Sequence, residues 1–141
     1  MLRAVVDTNV VISGTIQKSG PPYRIMNAWR EGSFVLVTSE ALIEETERVL
    51  HYPRIRKKYK LTEQQIRRLL DNLRRYALIT PGRVKINAIK EDPDDNQVLA
   101  AAVEGEADCM VSGDPHLLDQ RSYRGIEIVP PRQFVKMLGS Q

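Results

Sequence analysis

Cysteine occurs once, at Cys109, so an internal disulfide and any multi-cysteine zinc or iron–sulfur site are excluded. Histidine occurs twice, at His51 and His116, too few and too scattered for a zinc site. No apolar run approaches the roughly 20 residues that a membrane-crossing helix needs. The start Met1-Leu2-Arg3 leads into a short apolar stretch that meets Asp7, which lacks the pattern of a signal peptide. These absences predict a cytoplasmic chain with no membrane partner. Glycine motifs are missing too. There is no Gly-x-Gly-x-x-Gly, and Gly14 to Gly20 is not followed by the Gly-Lys-Ser/Thr of a phosphate loop.

What is present is an ordinary globular composition, 42% apolar and 28% charged over 141 residues, which predicts one domain spanning 1–141. Apolar β-branched runs at 3–6, 34–37, 107–111 and 125–129, with a shorter one at 77–79, read as strands. Helical patterns lie between them: 23–29 closed by Gly32, Ser39 to Leu50 stopped by Pro53, 62–76, 93–104 ended by Gly105, a brief turn at Asp114-Pro115, and 131–138. Gly14 to Pro22 reads as a loop. Thr62 and Gln65 form a capping-box pattern, with Ile66, Leu69, Leu70 and Leu73 on one helix face. Strands alternating with helices predict an α/β fold with a mainly parallel sheet flanked by helices.

Charge is segregated along the chain. Residues 51–85 hold eleven Lys/Arg against Glu63 and Asp71, a net of +9, and the rest of the chain carries −6. The cations include Arg54, Arg56, Lys57, Lys58, Lys60, Arg67, Arg68, Arg74 and Arg75. A solvated basic helix pair explains this equally well as a basic face beside an acidic, metal-binding pocket, the pairing a polyanion would suit.

In open α/β sheets ligands bind beyond the carboxyl ends of the strands, where strand order reverses. Asp7 follows the first strand and Asp114 follows the 107–112 region, so both are expected at one rim. In the helix after the second strand, Glu45 falls at the edge of the stripe Leu42, Thr46, Val49 and Leu50, while Glu40, Glu44 and Glu47 fall opposite. Glu45 is thus the inward acid, although a helix-dipole role would also place it there. In Asp92-Pro93-Asp94-Asp95-Asn96, Asp92 is an ideal N-cap and Pro93 an ideal first residue. Asp95 stands on the first turn beside the sheet-facing Val98, Leu99 and Ala102, and three acids within four residues exceed what a cap requires. Asp7, Glu45, Asp95 and Asp114 together make an all-oxygen donor set, which suits Mg²⁺ or Mn²⁺ and the phosphoryl displacement such ions promote. Ser112 either holds a neighbouring carboxylate or merely ends its strand. Cys109, in an apolar strand, is expected to be buried and inert, and Trp29 to pack in the core or an interface. Asp7-Thr8-Asn9 lacks the second aspartate of an aspartyl-phosphate-forming phosphatase. A phospho-receiver domain would likewise need an acidic pair after its first strand.

The pieces Val5-Val6-Asp7-Thr8-Asn9-Val10, Ser39 through Glu45 to Leu50, Asp92-Pro93-Asp94-Asp95-Asn96, Ser112-Gly113-Asp114 and Pro131-Arg132-Gln133-Phe134 resemble the PIN-domain nuclease superfamily. They resemble in particular its VapC-like branch of toxins from toxin–antitoxin systems. The resemblance covers essentially the whole chain in order. It implies a three-layer α/β/α domain and a Mg²⁺- or Mn²⁺-dependent phosphodiesterase acting on RNA. The quartet Asp7, Glu45, Asp95 and Asp114 would be catalytic and metal-binding, with Asn9, Ser112 and Asp92 auxiliary. Ser112 stands where the family more often has threonine, and keeps the hydroxyl. A small antitoxin partner and a homodimer are also implied, the latter through apolar surface around Ile66–Leu73, residues that would equally pack on their own core. Two other expectations fit the same residues: a catalytically silent nucleic-acid-binding scaffold, and a housekeeping nuclease acting in RNA processing or on DNA flaps. The basic segment would follow the phosphate backbone of the bound strand.

Overall fold

The apolar run behind Met1-Leu2 forms β1 (Arg3–Val6) in the middle of the sheet. The computed structural model describes residues 1–89 and 93–140. It places β2 (Val35–Ser39) on one side of β1 and β4 (Cys109–Val111) on the other, both parallel to it. Beyond them lie β3 (Leu78–Thr80), parallel to β2, and β6 (Ile126–Val129), parallel to β4. The two-residue β5 (Ser122–Tyr123) runs antiparallel on β6, giving the order β3-β2-β1-β4-β6-β5. Because the chain leaves β1 to one side for β2 and later returns to its other side with β4, the carboxyl ends of β1 and β4 form the reversal point at which α/β sheets open a crevice.

Side chains alternate across β1, so Ala4 and Val6 enter one core and Val5 the other. The first core packs under α1 (Thr8–Ile16), α2 (Pro21–Arg30), α5 (Glu63–Tyr76) and α8 (Pro131–Gly139), where Phe34 and Phe134 meet edge to face with ring centroids 5.0 Å apart. The second packs under α6 (Pro93–Glu104) and the short α7 (Pro115–Leu118), through Val98, Leu99, Ala102 and Leu117. The helix α3 (Glu40–Leu50) contributes to both, Ile43 and Leu50 to the first and Leu42 to the second. The result is the three-layer α/β/α arrangement expected. Among the described residues no helix is long and apolar enough to cross a membrane.

Three local features differ from the sequence reading, each for a physical reason. The stretch after Asp7 is helical to Ile16 and includes Gly14, which the sequence reading places in a loop. Gly14 is there for proximity: a Cβ on it would run into the Pro22 carbonyl and Met26 Cγ, where α1 crosses α2. Pro53 does more than end α3, since it occupies the first position of α4 (Pro53–Lys58), a place its missing N–H and fixed φ favour. The strand β5 was not apparent because two residues carry no periodicity; Arg121 and Arg124, both left-handed (φ 60° and 50°), bracket it. The stripe Ile66, Leu69, Leu70 and Leu73 is buried in the chain's own first core, so it does not form an apolar dimer face.

The Gly14 contact yields a direct expectation. Gly14→Ala should lower unfolding free energy by about 1–3 kcal/mol, the usual range for overpacking, whereas Gly139→Ala, with open space around it, should change it by less than about 0.5 kcal/mol. Urea unfolding of the two variants checks this.

Candidate active site

Asp7 ends β1 and is buried, and its backbone N–H continues the ladder to the Val111 carbonyl at 2.9 Å. Ser112, the residue after β4, is fully buried and donates its hydroxyl proton to Asp7 Oδ2 at 2.7 Å. The same Ser112 Oγ accepts the Asp114 N–H at 3.0 Å. Of the two readings open for Ser112, the structure thus shows the one in which it holds a carboxylate. One hydroxyl joins the ends of β1 and β4 and fixes the turn that carries Asp114. Asp114 itself is half-buried and caps α7, its Oδ1 accepting the His116 N–H at 2.7 Å.

Glu45 comes to this rim from α3. It is half-buried, and Thr8 Oγ1 donates to its Oε2 at 3.2 Å. Its carboxyl is pushed from 4.5 up to about 7, first by burial, then by the negative charges of Asp94 and Asp7; the Thr8 hydroxyl and Arg48 oppose the rise. Glu40, Glu44 and Glu47 are exposed, as the helical stripe requires. Asp94 and Asp95 stand on the first turn of α6, Asp94 exposed and Asp95 buried.

Asp7, Glu45, Asp95 and Asp114 therefore come from the ends of β1 and β4 and from the first halves of α3 and α6. Asn9 is exposed on α1, and Asp92 lies outside the described residues. Two residues escaped the sequence reading. Thr8 is buried against Glu45 and performs for that acid what Ser112 performs for Asp7; its only signal was its place between Asp7 and Asn9. Asp94 acts on Glu45 more strongly than Asp7 does, and the excess of acids over one cap was its signal. Among the described residues no three His, Cys, Asp or Glu side chains are gathered closely enough to ligate one ion. The donors are nonetheless all hard oxygens, and Glu45 carries a charge that its neighbours destabilise, a set that fits a divalent cation. Cys109 lies in the core with its thiol pushed up to about 12 by burial and by Asp108 and Glu127, so it is inert. Trp29 is buried in the first core.

The basic residues lie on α4, on the link after it and on α5, which runs antiparallel to α3. Arg74 near the end of α5 pairs with Glu40 at the start of α3 at 2.7 Å, while His51 beyond the end of α3 contacts Glu63 at the start of α5. His51 Nδ1 faces the Glu47 carbonyl at 2.8 Å and Nε2 faces the Glu63 carboxylate. Both partners only accept, so the ring satisfies both when protonated. The Glu47 carbonyl first, and then Glu63, raise its pKa above 6.5. Arg56 also reaches Glu63, at 3.4 Å. Arg56 and Arg74 are thus engaged within the chain, whereas Arg54, Lys57 and Lys58 share one exposed stripe of α4, and Lys60, Arg67, Arg68 and Arg75 are exposed nearby.

A mainly parallel sheet with acids and paired hydroxyl donors at its reversal point describes a PIN fold, and the PIN domain family model matches residues 3–116. The chain belongs to the PIN domain family. Over 143 aligned residues it is 28% identical to the uncharacterized protein MJ1680 of Methanocaldococcus jannaschii, an alignment covering 96% of this chain and 90% of that protein. PIN domains are generally nucleases, which supports a hydrolase acting on nucleic acid.

The elevated Glu45 carboxyl carries a sign that can be checked. Its folded pKa lies above the unfolded one, so its stabilising contribution is full below pH 4.5 and disappears as pH rises through about 7. In metal-free protein, Glu45→Gln is expected to raise Tm by a few degrees at pH 8 and leave it unchanged at pH 4. Thermal melts in EDTA at the two pH values decide it; equal effects at both would dissociate Glu45 from this charge crowding.

Proposed function

We propose that this chain is a metal-dependent endoribonuclease, one PIN-like domain over residues 1–141, acting in the cytoplasm as the toxin of a toxin–antitoxin pair. The observation that carries the nuclease reading is the rim itself, where Ser112 holds buried Asp7 at 2.7 Å and Thr8 holds half-buried Glu45 at 3.2 Å, with burial, Asp94 and Asp7 raising the Glu45 carboxyl. Such crowding is relieved when a cation sits among the acids. Asp7, Glu45, Asp95 and Asp114 would hold Mg²⁺ or Mn²⁺, with Ser112, Asn9 and Asp92 auxiliary. A bound divalent ion supplies positive charge for a scissile phosphate and makes water a stronger nucleophile at neutral pH.

The chain's own groups supply the positioning. Ser112 turns Asp7 toward the rim, and Thr8 does the same for Glu45, so neither acid needs to reorder when a strand binds. Arg54, Lys57, Lys58, Lys60, Arg67, Arg68 and Arg75 would contact the phosphate backbone, with Arg56 and Arg74 bracing the helices that present them. The antitoxin and the homodimer rest on the family resemblance alone. A small protein that covers the acid rim would silence the nuclease by excluding the strand.

Cleavage of labelled single-stranded RNA and DNA with Mg²⁺, Mn²⁺ or EDTA tests the reading. RNA cutting is expected with either metal, is abolished by EDTA, and falls at least about 100-fold in Asp95→Asn. Affinity should drop with salt at a slope of roughly −0.7 per phosphate neutralised, and neutralising Lys57 and Lys58 should make that slope shallower. If metal raises Tm but no strand is cut, the silent scaffold replaces the nuclease; preferential cutting of DNA flaps favours the housekeeping enzyme.

A further inference from the structure

After β3, residues 82–89 are fastened at both ends by side chains of α6. At the outer end the Glu104 carboxylate accepts the N–H groups of Gly82 at 2.7 Å and Arg83 at 2.9 Å. Desolvation pushes this carboxyl up, but the hydrogen bonds it accepts, those from Arg83 and Gly82 foremost, together hold the pKa below the ordinary value. At the inner end Asn96 Oδ1 accepts the N–H groups of Ala88 at 3.1 Å and Ile89 at 2.9 Å, while its Nδ2 donates to the Ile89 carbonyl at 2.6 Å. Residues 82–89 therefore form a strap bonded to side chains where a strand would be bonded to backbone. Its anchors are eight residues apart, about 12 Å along the helix.

The inner anchor has a composition that few residues can copy. It must accept twice and donate once in a buried setting, which a carboxamide does. A carboxylate would accept from both N–H groups but leave the Ile89 carbonyl facing an oxygen, and an apolar side chain would leave three backbone groups unmet, the two of Ile89 in buried bonds and that of Ala88 in a half-buried one. Ile89 itself is buried in the cluster that contains Leu42 of α3 and Val98 and Leu99 of α6. The clamp thus sits one residue after Asp95, on the turn of α6 that carries Asp94 and Asp95, and it seats Ile89 in the core to which both α3 and α6 contribute.

We infer that Asn96 is a positioning residue for the acid site: by clamping the strap onto α6 it sets the first turn of that helix, with Asp94 and Asp95, against Glu45 and Asp7. Asn96 touches neither metal nor substrate, and its action is on the spacing of the acids. This inference rests on the metal-dependent reading above and deepens it, because outer residues that orient ligands commonly govern metal affinity by 10–100-fold.

The test measures the Mn²⁺ concentration that gives half-maximal thermal stabilisation without RNA, and separately the concentration for half-maximal RNA cleavage. Asn96→Ala is expected to raise both midpoints by about tenfold. Glu104→Gln weakens the outer anchor, away from the acids, and is expected to lower the metal-free Tm while leaving both midpoints within about twofold. Asn96→Ser retains one hydroxyl and is expected to shift both midpoints several-fold, and it carries the test if Asn96→Ala fails to fold. Unchanged midpoints in the folded Asn96 variants, or an equal shift in Glu104→Gln, overturn the inference. A Mn²⁺-induced Tm rise that Asn96→Ala weakens, with no RNA cut by the wild type, sustains it and removes the nuclease reading. Cutting with one midpoint in every variant does the reverse, and a wild type that responds to Mn²⁺ in neither assay overturns both.

Discussion

Like charges held at one place set the terms for this molecule. Asp7 is buried at the end of the central strand, Glu45 is half-buried opposite it, and Asp94 adds a third field, so the rim stores electrostatic repulsion that folding must overcome. Two hydroxyls make this tolerable. Ser112 donates to Asp7 and Thr8 to Glu45, each hydroxyl stabilising the ionised form of the carboxylate it bonds. The parallel sheet supplies the frame, because β1 and β4 are adjacent only through the order reversal, and Asp7 and Ser112 meet only because those strands are in register. If a cation binds among these acids as proposed, it would relieve the repulsion and so couple its binding to fold stability.

The antiparallel pair of α3 and α5 solves a different electrostatic problem. A segment with a net charge of +9 would repel itself if its cations were all turned outward together. Arg74 and Arg56 are instead drawn back to Glu40 and Glu63, and the His51 ring lies between the Glu47 backbone carbonyl and the Glu63 carboxylate at the far end. The His51 contribution is full below pH 6.5 and fades as pH rises through its higher folded value, opposite in origin to Glu45 although the direction with pH is the same. The remaining cations face outward on α4, α5 and the segments that follow each of them, rather than on one continuous face.

Most of the fold was legible because long elements declare themselves by period and by caps. The Thr62–Gln65 capping box is present as read, and the strand–helix alternation foretold the parallel sheet. The stripe of α3 correctly separated Glu45 from Glu40, Glu44 and Glu47. What was not legible is what tertiary contact decides. Gly14 reads as a loop residue until α2 is seen lying against it, and Ile66 to Leu73 read as either surface or core until the sheet is beneath them. Thr8 and Asn96 left no periodic trace, since a hydroxyl or amide that bonds one carboxylate or one bend has no repeat to betray it. Asn9, by contrast, entered through resemblance, and the structure places it on the exposed side of α1.

The sheet closes with very short margins. Its outer strands are the three residues of β3 and the two of β5, against four and five in β1 and β2. An edge strand is a template for pairing with another chain, in proportion to the row of unmatched backbone groups it displays. Stubs this short offer little to pair with, so even Ile79, exposed on β3, has no extended ladder to recruit a neighbour. Whatever assemblies this protein enters must therefore be built through helices and side chains, and its sheet is protected from the edge-to-edge growth by which β-structure aggregates.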